Sequence, residues 1–128
     1  MKMKSNTKLP KVLVVEDNPD NMLTFNAVLK GKYEIIEAYD GEDGINKATA
    51  ELPNLILLDM ALPKVNGMAV VKTLKKQDET KHIPVIAVSA YSMDDMKEIF
   101  LRYGCDDFVS KPIDRSVLLK TMNKWLGD

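Results

Sequence analysis

The chain alternates between two hydrophobic periods. Three short runs, Lys11 to Val15 (KVLVV), Leu55 to Leu58 and Val85 to Val88, are continuous, apolar and rich in branched side chains. Runs this short and unbroken predict strands buried on both faces. Tyr33 to Ala38 (YEIIEA) and Phe108-Val109 give weaker strand signals. Helical spacing fills the gaps between them. Met22, Phe25 and Leu29 share one face of a first helix. Ile45 and Ala48 face inward from a short second helix over Glu42 to Glu51. Met68, Val71 and Leu74 share a face of a third. Met96, Ile99, Phe100 and Tyr103 make an i, i+3, i+4, i+7 stripe in a fourth, and Leu118, Thr121, Met122 and Trp125 mark a fifth. These methionine and aromatic stripes are expected to be core, not cofactor contacts.

Punctuation agrees with the periods. Asp17-Asn18-Pro19-Asp20 offers caps and a proline for the first helix. Gly31 follows that helix, Gly41 and Gly44 flank the start of the second, and Pro53 follows its end. Gly67 opens the third and Gly104 follows the fourth. Strand–helix alternation repeated through one chain implies right-handed crossovers. The fold class is therefore α/β, a doubly wound five-stranded parallel sheet with helices on both faces. At 128 residues the chain fits one domain. It is expected to span residues 10–128, with residues 1–9 as a solvated, lysine-bearing extension.

Composition removes several classes of function. Eighteen basic and 19 acidic side chains leave a net charge of -1, with no general attraction for nucleic acid or anionic lipid. Direct DNA binding is not expected. The one cysteine, Cys105, excludes an intrachain disulfide framework. No apolar run approaches the ~20 residues of a membrane helix. The N-terminus lacks the apolar stretch of a signal peptide, so the cytoplasm is the expected compartment.

In an open α/β sheet, chemistry gathers where strand carboxyl ends meet a change in strand order. Glu16 and Asp17 follow the first apolar run, Asp59 the third, Ser89 the fourth, and Ser110, Lys111 and Pro112 the fifth. Each has a bland explanation. Asp17 or Asn18 could cap a helix, Asp59 could begin a turn ahead of Pro63, and Lys111 could be an ordinary loop lysine. Together they place carboxylates, a hydroxyl and an ammonium on one rim. Three carboxylates there repel one another unless a cation sits among them. Magnesium suits such a site, since it takes few protein oxygens and keeps several waters.

These residues carry a family resemblance. Val12 to Asn18 (VLVVEDN), Leu57 to Pro63 (LLDMALP) with Gly67, Val85 to Ala90 (VIAVSA) and Phe108 to Pro112 (FVSKP) resemble the receiver domain of two-component response regulators. The match runs from about Lys11 to Trp125. The resemblance, not the periodicity, implies the flavodoxin-like strand order 2-1-3-4-5. It also implies that Asp59 accepts a phosphoryl group from a histidine kinase or histidine phosphotransfer protein. Asp17 and Asp59 would bind Mg2+ directly, Glu16 would help through water, and the Ala61 carbonyl would supply another oxygen. Lys111 and Ser89 would contact the phosphoryl group, and Phe108 would act with Ser89 as the switch. A cis Lys111–Pro112 bond is implied as well. The readout would be a protein-binding surface on the fourth helix, fifth strand and fifth helix. The protein would then be a phosphoacceptor signalling protein, not an enzyme with a separate substrate. With no room for an output module after Trp125, it is expected to stand alone. It would be a monomer acting on a downstream protein target, with dimerisation on phosphorylation as the open alternative.

Departures from the family pattern are mild. Serine stands at 89 where threonine is commoner, and Phe108 lacks a tyrosine hydroxyl. Ala61 has no polar group to orient a water, and Tyr91 is large enough to shield the site. Slow loss of the phosphoryl group is expected. Two rivals remain on the sequence. A magnesium-dependent phosphatase of the haloacid dehalogenase type shares the strand-end aspartate but has a second aspartate where Ala61 stands. A flavodoxin-like FMN carrier needs a phosphate loop where this chain has Glu16-Asp17-Asn18-Pro19-Asp20. His82 and Cys105 are expected to be a solvated loop residue and core filler. Asp94 and Asp95 suit a helix start, and Asp106 and Asp107 the edge of the fifth strand.

Overall fold

The apolar runs become five parallel strands, β1 (Lys11–Val15), β2 (Glu34–Ala38), β3 (Leu55–Asp59), β4 (Val85–Ser89) and β5 (Asp107–Ser110). They lie in the order β2-β1-β3-β4-β5. Helices α1 (Pro19–Leu29), α2 (Gly41–Glu51), α3 (Gly67–Lys76), α4 (Met93–Arg102) and α5 (Arg115–Leu126) alternate with them. The computed structural model describes residues 9–62, 66–90 and 93–127, without the side chains of 93–95. The expectations for Pro63, Tyr91, residues 1–8 and the side chains of Asp94 and Asp95 lie outside the described residues.

The central strands β1, β3 and β4 are largely apolar because each sheet face has its own cover. Leu13, Val15, Ile56, Leu58, Val85, Ala87 and Phe108 face the layer of α2, α3 and α4, against Ala48, Val70, Val71, Leu74 and Phe100. Val12, Val14, Leu55, Leu57, Ile86, Val88 and Val109 face α1 and α5, against Met22, Phe25, Val28, Leu29, Leu118 and Met122. Successive strand residues point to opposite faces, so both sets must be hydrophobic. β2 is an edge strand, and only Ala38 in it is fully buried.

Asparagine and aspartate start the helices. Asn18, Asp40, Asn66 and Asp114 each accept a hydrogen bond from the backbone N–H three residues on, at 3.0, 2.8, 3.0 and 3.1 Å. These bonds satisfy donors that the first helical turn leaves open. Pro19 occupies the first turn of α1, where its missing N–H costs nothing.

Two of the predicted stripes are only partly core. In α4, Phe100 is buried and Met96 packs against the core, but Ile99 and Tyr103 are 37% and 44% exposed, and Tyr103 lies beyond the helix end. The helix rides near the β5 edge of the sheet, where cover on one side ends. In α5, Leu118 and Met122 are buried, whereas Trp125 is 38% exposed. Its indole N–H donates to Asp107 Oδ2 at 2.7 Å, tying the end of α5 to the start of β5. In α3, Met68 is half-buried and Val70 takes the buried place beside Val71 and Leu74.

Polar bonds fix the opposite end of the sheet. Lys75 Nζ lies 2.9 Å from Asp106 Oδ2 and 2.8 Å from the Ile83 carbonyl. The same Asp106 oxygen accepts the Val85 N–H at 2.8 Å. One side chain thereby joins α3, β4 and the entry to β5. Cys105 is buried beside it, and burial pushes its thiol up to about 12. That suits core filler and not a reactive thiol. His82 is exposed in its turn.

Candidate functional site

The strand order creates the site. From β1 the chain crosses to β2 on one side, then returns past β1 to β3 on the other. The carboxyl ends of β1 and β3 therefore open onto one crevice. Val15 pairs in register with Leu58, so the next residues, Glu16 and Asp59, stand side by side. Asp59 is the last residue of β3 and Ser89 the last of β4, one position beyond the strand ends read from the apolar runs.

Glu16, Asp17 and Asp59 each offer an oxygen within 4.8 Å of the others. Glu16 and Asp59 are buried, at 1% and 4% exposure, while Asp17 sits on the open rim. Lys111 Nζ lies 3.3 Å from Glu16 Oε1 and 3.5 Å from Asp59 Oδ2. Asp59 Oδ1 accepts the Ala61 N–H at 2.9 Å, which fixes the carboxylate plane. Ser89 is buried at the end of the neighbouring strand, and its carbonyl accepts the Lys111 N–H at 2.8 Å. The Lys111–Pro112 bond is cis, as the resemblance implied. Phe108 is buried and stacks on Phe100 of α4, ring centres 5.6 Å apart and planes 25° apart. All seven residues singled out from the sequence thus lie on or beside one rim. Sequence reading passed over Asn21, the stacking of Phe100 on Phe108 and the packing of Gly67. A Cβ on Gly67 would stand 2.5 Å from Met60 Cα and 2.9 Å from the Asp59 carbonyl.

The electrostatics are unbalanced. Among the described residues, three carboxylates face one ammonium. Burial raises the Glu16 carboxyl pKa, and the Asp59 charge adds to it, against the opposing pull of the Asn18 N–H and Lys111. Glu16 Oε1 is buried and accepts no hydrogen bond among the described residues. Lys111 is near enough to attract it but lies off a hydrogen-bonding direction. A buried carboxylate oxygen that accepts no hydrogen bond, set among other carboxylates, fits a hard divalent cation such as Mg2+. Holding Glu16 ionised also has a stability cost. Folding raises its proton affinity, so this cost is full above the raised pKa, fades as pH falls toward the ordinary value of 4.5, and is absent below it. Glu16→Gln should therefore raise the midpoint of thermal unfolding by a few degrees without Mg2+ at neutral pH. The gain should shrink at acidic pH, and added Mg2+ should stabilise the variant less than the parent. Calorimetric melts at both pH values with and without Mg2+ check this.

Comparison with known proteins decides the family. The profile of the response regulator receiver domain matches residues 12–123. The chain belongs to the response regulator receiver family. The polar-differentiation response regulator DivK of Brucella anthropi is 41% identical over 122 residues, covering 94% of this chain and 99% of that protein. DivK of Brucella ovis is 40% identical, covering 91% of this chain and 96% of its own. The receiver domain of a sensor histidine kinase from Pseudomonas aeruginosa superposes with a TM-score of 0.86 at 28% identity, covering 94% of this chain and 99% of that one. Its crystal structure has a magnesium ion coordinated in the active site cleft. As a receiver, the chain is a signalling protein, and the phosphatase rival finds no support. No helix among the described residues is long and apolar enough to cross a membrane.

Proposed function

We propose that this receiver accepts a phosphoryl group on Asp59 from a phosphohistidine of a histidine kinase or phosphotransfer protein. The observation that carries the reading is the cluster itself: oxygens of Glu16, Asp17 and Asp59 within 4.8 Å of one another, with Lys111 3.5 Å from Asp59. The carboxylates of Glu16, Asp17 and Asp59 and the Ala61 carbonyl would hold Mg2+, which when bound supplies positive charge against the peripheral oxygens of the transferring group. The chain's own groups do the rest. A carboxylate oxygen of Asp59 attacks phosphorus. The P–N bond breaks, its electron pair leaves with the imidazole, and an acyl phosphate remains. The Ala61 N–H holds the carboxylate's plane before attack. The Lys111 ammonium, resting between Glu16 and Asp59, transfers its attraction to the phosphoryl oxygens.

Phosphorylation turns the Asp59 carboxylate into an acyl phosphate, which adds about one net negative charge and three strong acceptors at one strand end. The Ser89 hydroxyl would turn toward them, and Phe108 would repack on the adjacent strand. Because Phe108 stacks on Phe100, that repacking would reach α4 directly. The surface of α4, β5 and α5 would then present a changed face to a downstream protein. Incubation with Mg2+ and phosphoramidate should add one phosphoryl group to the intact mass. No gain overturns the reading.

Loss of the group is expected to be slow. Position 61, two residues beyond the acceptor, carries only a methyl group and cannot orient an attacking water. Intact-mass decay of the isolated phosphoprotein should run over minutes or longer. A lifetime of seconds would contradict this.

A further inference from the structure

We propose that Asn21 is a positioning residue for the cation site. Its side-chain amide, together with the Asn18 backbone N–H, holds Glu16 Oε2 against the start of α1 and leaves Oε1 as the oxygen presented to the cluster. The proposal rests on the reading that Glu16, Asp17 and Asp59 hold Mg2+.

Glu16 is 1% exposed, so water cannot set the orientation of its carboxylate. The last torsion of a glutamate is broad, and only its partners can fix it. Its two oxygens have unlike surroundings. Oε2 lies 3.1 Å from the Asn18 N–H nitrogen and 3.5 Å from Asn21 Nδ2. Oε1 accepts no hydrogen bond among the described residues and lies 3.3 Å from Lys111 Nζ. Both donors to Oε2 belong to the start of α1, and that start is itself locked. The Asn21 N–H donates to the Asn18 side chain at 3.0 Å. Asn21 therefore approaches Glu16 from a fixed backbone. It also walls a groove of about 460 Å³ with Thr24, Phe25, Ala90, Lys111 and Pro112, beside the rim of the site.

A group that holds a metal ligand from behind is worth about 10- to 100-fold in metal affinity. The 3.5 Å contact is long, which puts the expectation at the lower end, about tenfold. The experiment is calorimetric titration of Mg2+ into the full chain and into Asn21→Ala, Asn21→Leu and Thr24→Ala. Leucine keeps the bulk without the donor, and Thr24 lines the same groove without a bond to Glu16. Both Asn21 variants should raise the Mg2+ Kd about tenfold, and Thr24→Ala should leave it unchanged. Phosphorylation by phosphoramidate should regain the parent's maximal rate in Asn21→Ala once Mg2+ is saturating, because the residue acts through Glu16 alone. Parent-like Mg2+ affinity in both Asn21 variants overturns the proposal and leaves the phosphoacceptor reading standing. A parent chain that binds no Mg2+ overturns both.

Discussion

Asp59→Asn is expected to abolish the gain of one phosphoryl group on treatment with Mg2+ and phosphoramidate, while the fold survives. Asparagine keeps the shape and one carbonyl oxygen. That oxygen can still accept the Ala61 N–H, now 2.9 Å from Asp59 Oδ1. Lys111 loses one charged neighbour but keeps Glu16 at 3.3 Å. One negative charge leaves a crowded buried cluster, so the metal-free variant should melt no lower than the parent. Only the nucleophile is lost. A neutral amide oxygen does not attack phosphorus at a useful rate. Intact mass with and without the substitution reads the first effect, and thermal unfolding the second. A mass gain that persists in Asp59→Asn would place the modification elsewhere and remove Asp59 from the mechanism.

Gly67→Ala is expected to be the most damaging single-methyl change. A Cβ there would meet Met60 Cα at 2.5 Å, the Met60 sulfur at 2.8 Å and the Asp59 carbonyl at 2.9 Å. The sulfur can swing aside, but the backbone atoms cannot. Either α3 moves away from β3 or the turn carrying the acceptor is displaced. Overpacking of this kind costs about 1–3 kcal/mol, and the upper end applies where backbone must yield. Gly44 makes a useful contrast. Its added Cβ would meet only Val15 methyl carbons, at 2.9 and 3.1 Å, and alanine favours a helix interior by about 1 kcal/mol over glycine. Val15 is buried and stiff, so Gly44→Ala should still destabilise, but less than Gly67→Ala because no backbone atom has to yield. Gly67→Ala should lower the urea midpoint clearly and weaken Mg2+ binding, since the displaced carbonyl belongs to Asp59. Equal midpoints for the two variants would show that the α3 start is looser than its packing suggests.

The fold was legible because burial on both faces writes itself into the strands as unbroken apolar runs. The site was legible for a related reason. Parallel strands place the residue after each run on the same edge, so Glu16, Asp17, Asp59, Ser89 and Lys111 could be grouped before any distance was known. Strand ends were set one residue short at Asp59 and Ser89, because a polar side chain at a strand end still sits in the ladder. The α4 stripe misled for a different reason. Spacing shows that Met96, Ile99, Phe100 and Tyr103 share a face, but not that the layer beneath runs out near β5. Long-range polar contacts left no trace. Lys75 and Asp106 are 31 positions apart, and nothing in the run around Asn21 announces that its amide reaches Glu16.

Trp125 is the chain's one tryptophan, and its indole N–H is held by Asp107 at 2.7 Å. Asp107 in turn accepts the N–H of Phe108 at 2.8 Å. The molecule thus carries its own optical probe, wired by two hydrogen bonds to the strand that houses the aromatic ring expected to move. Emission from that single fluorophore offers a label-free trace of β5 against α5 in real time.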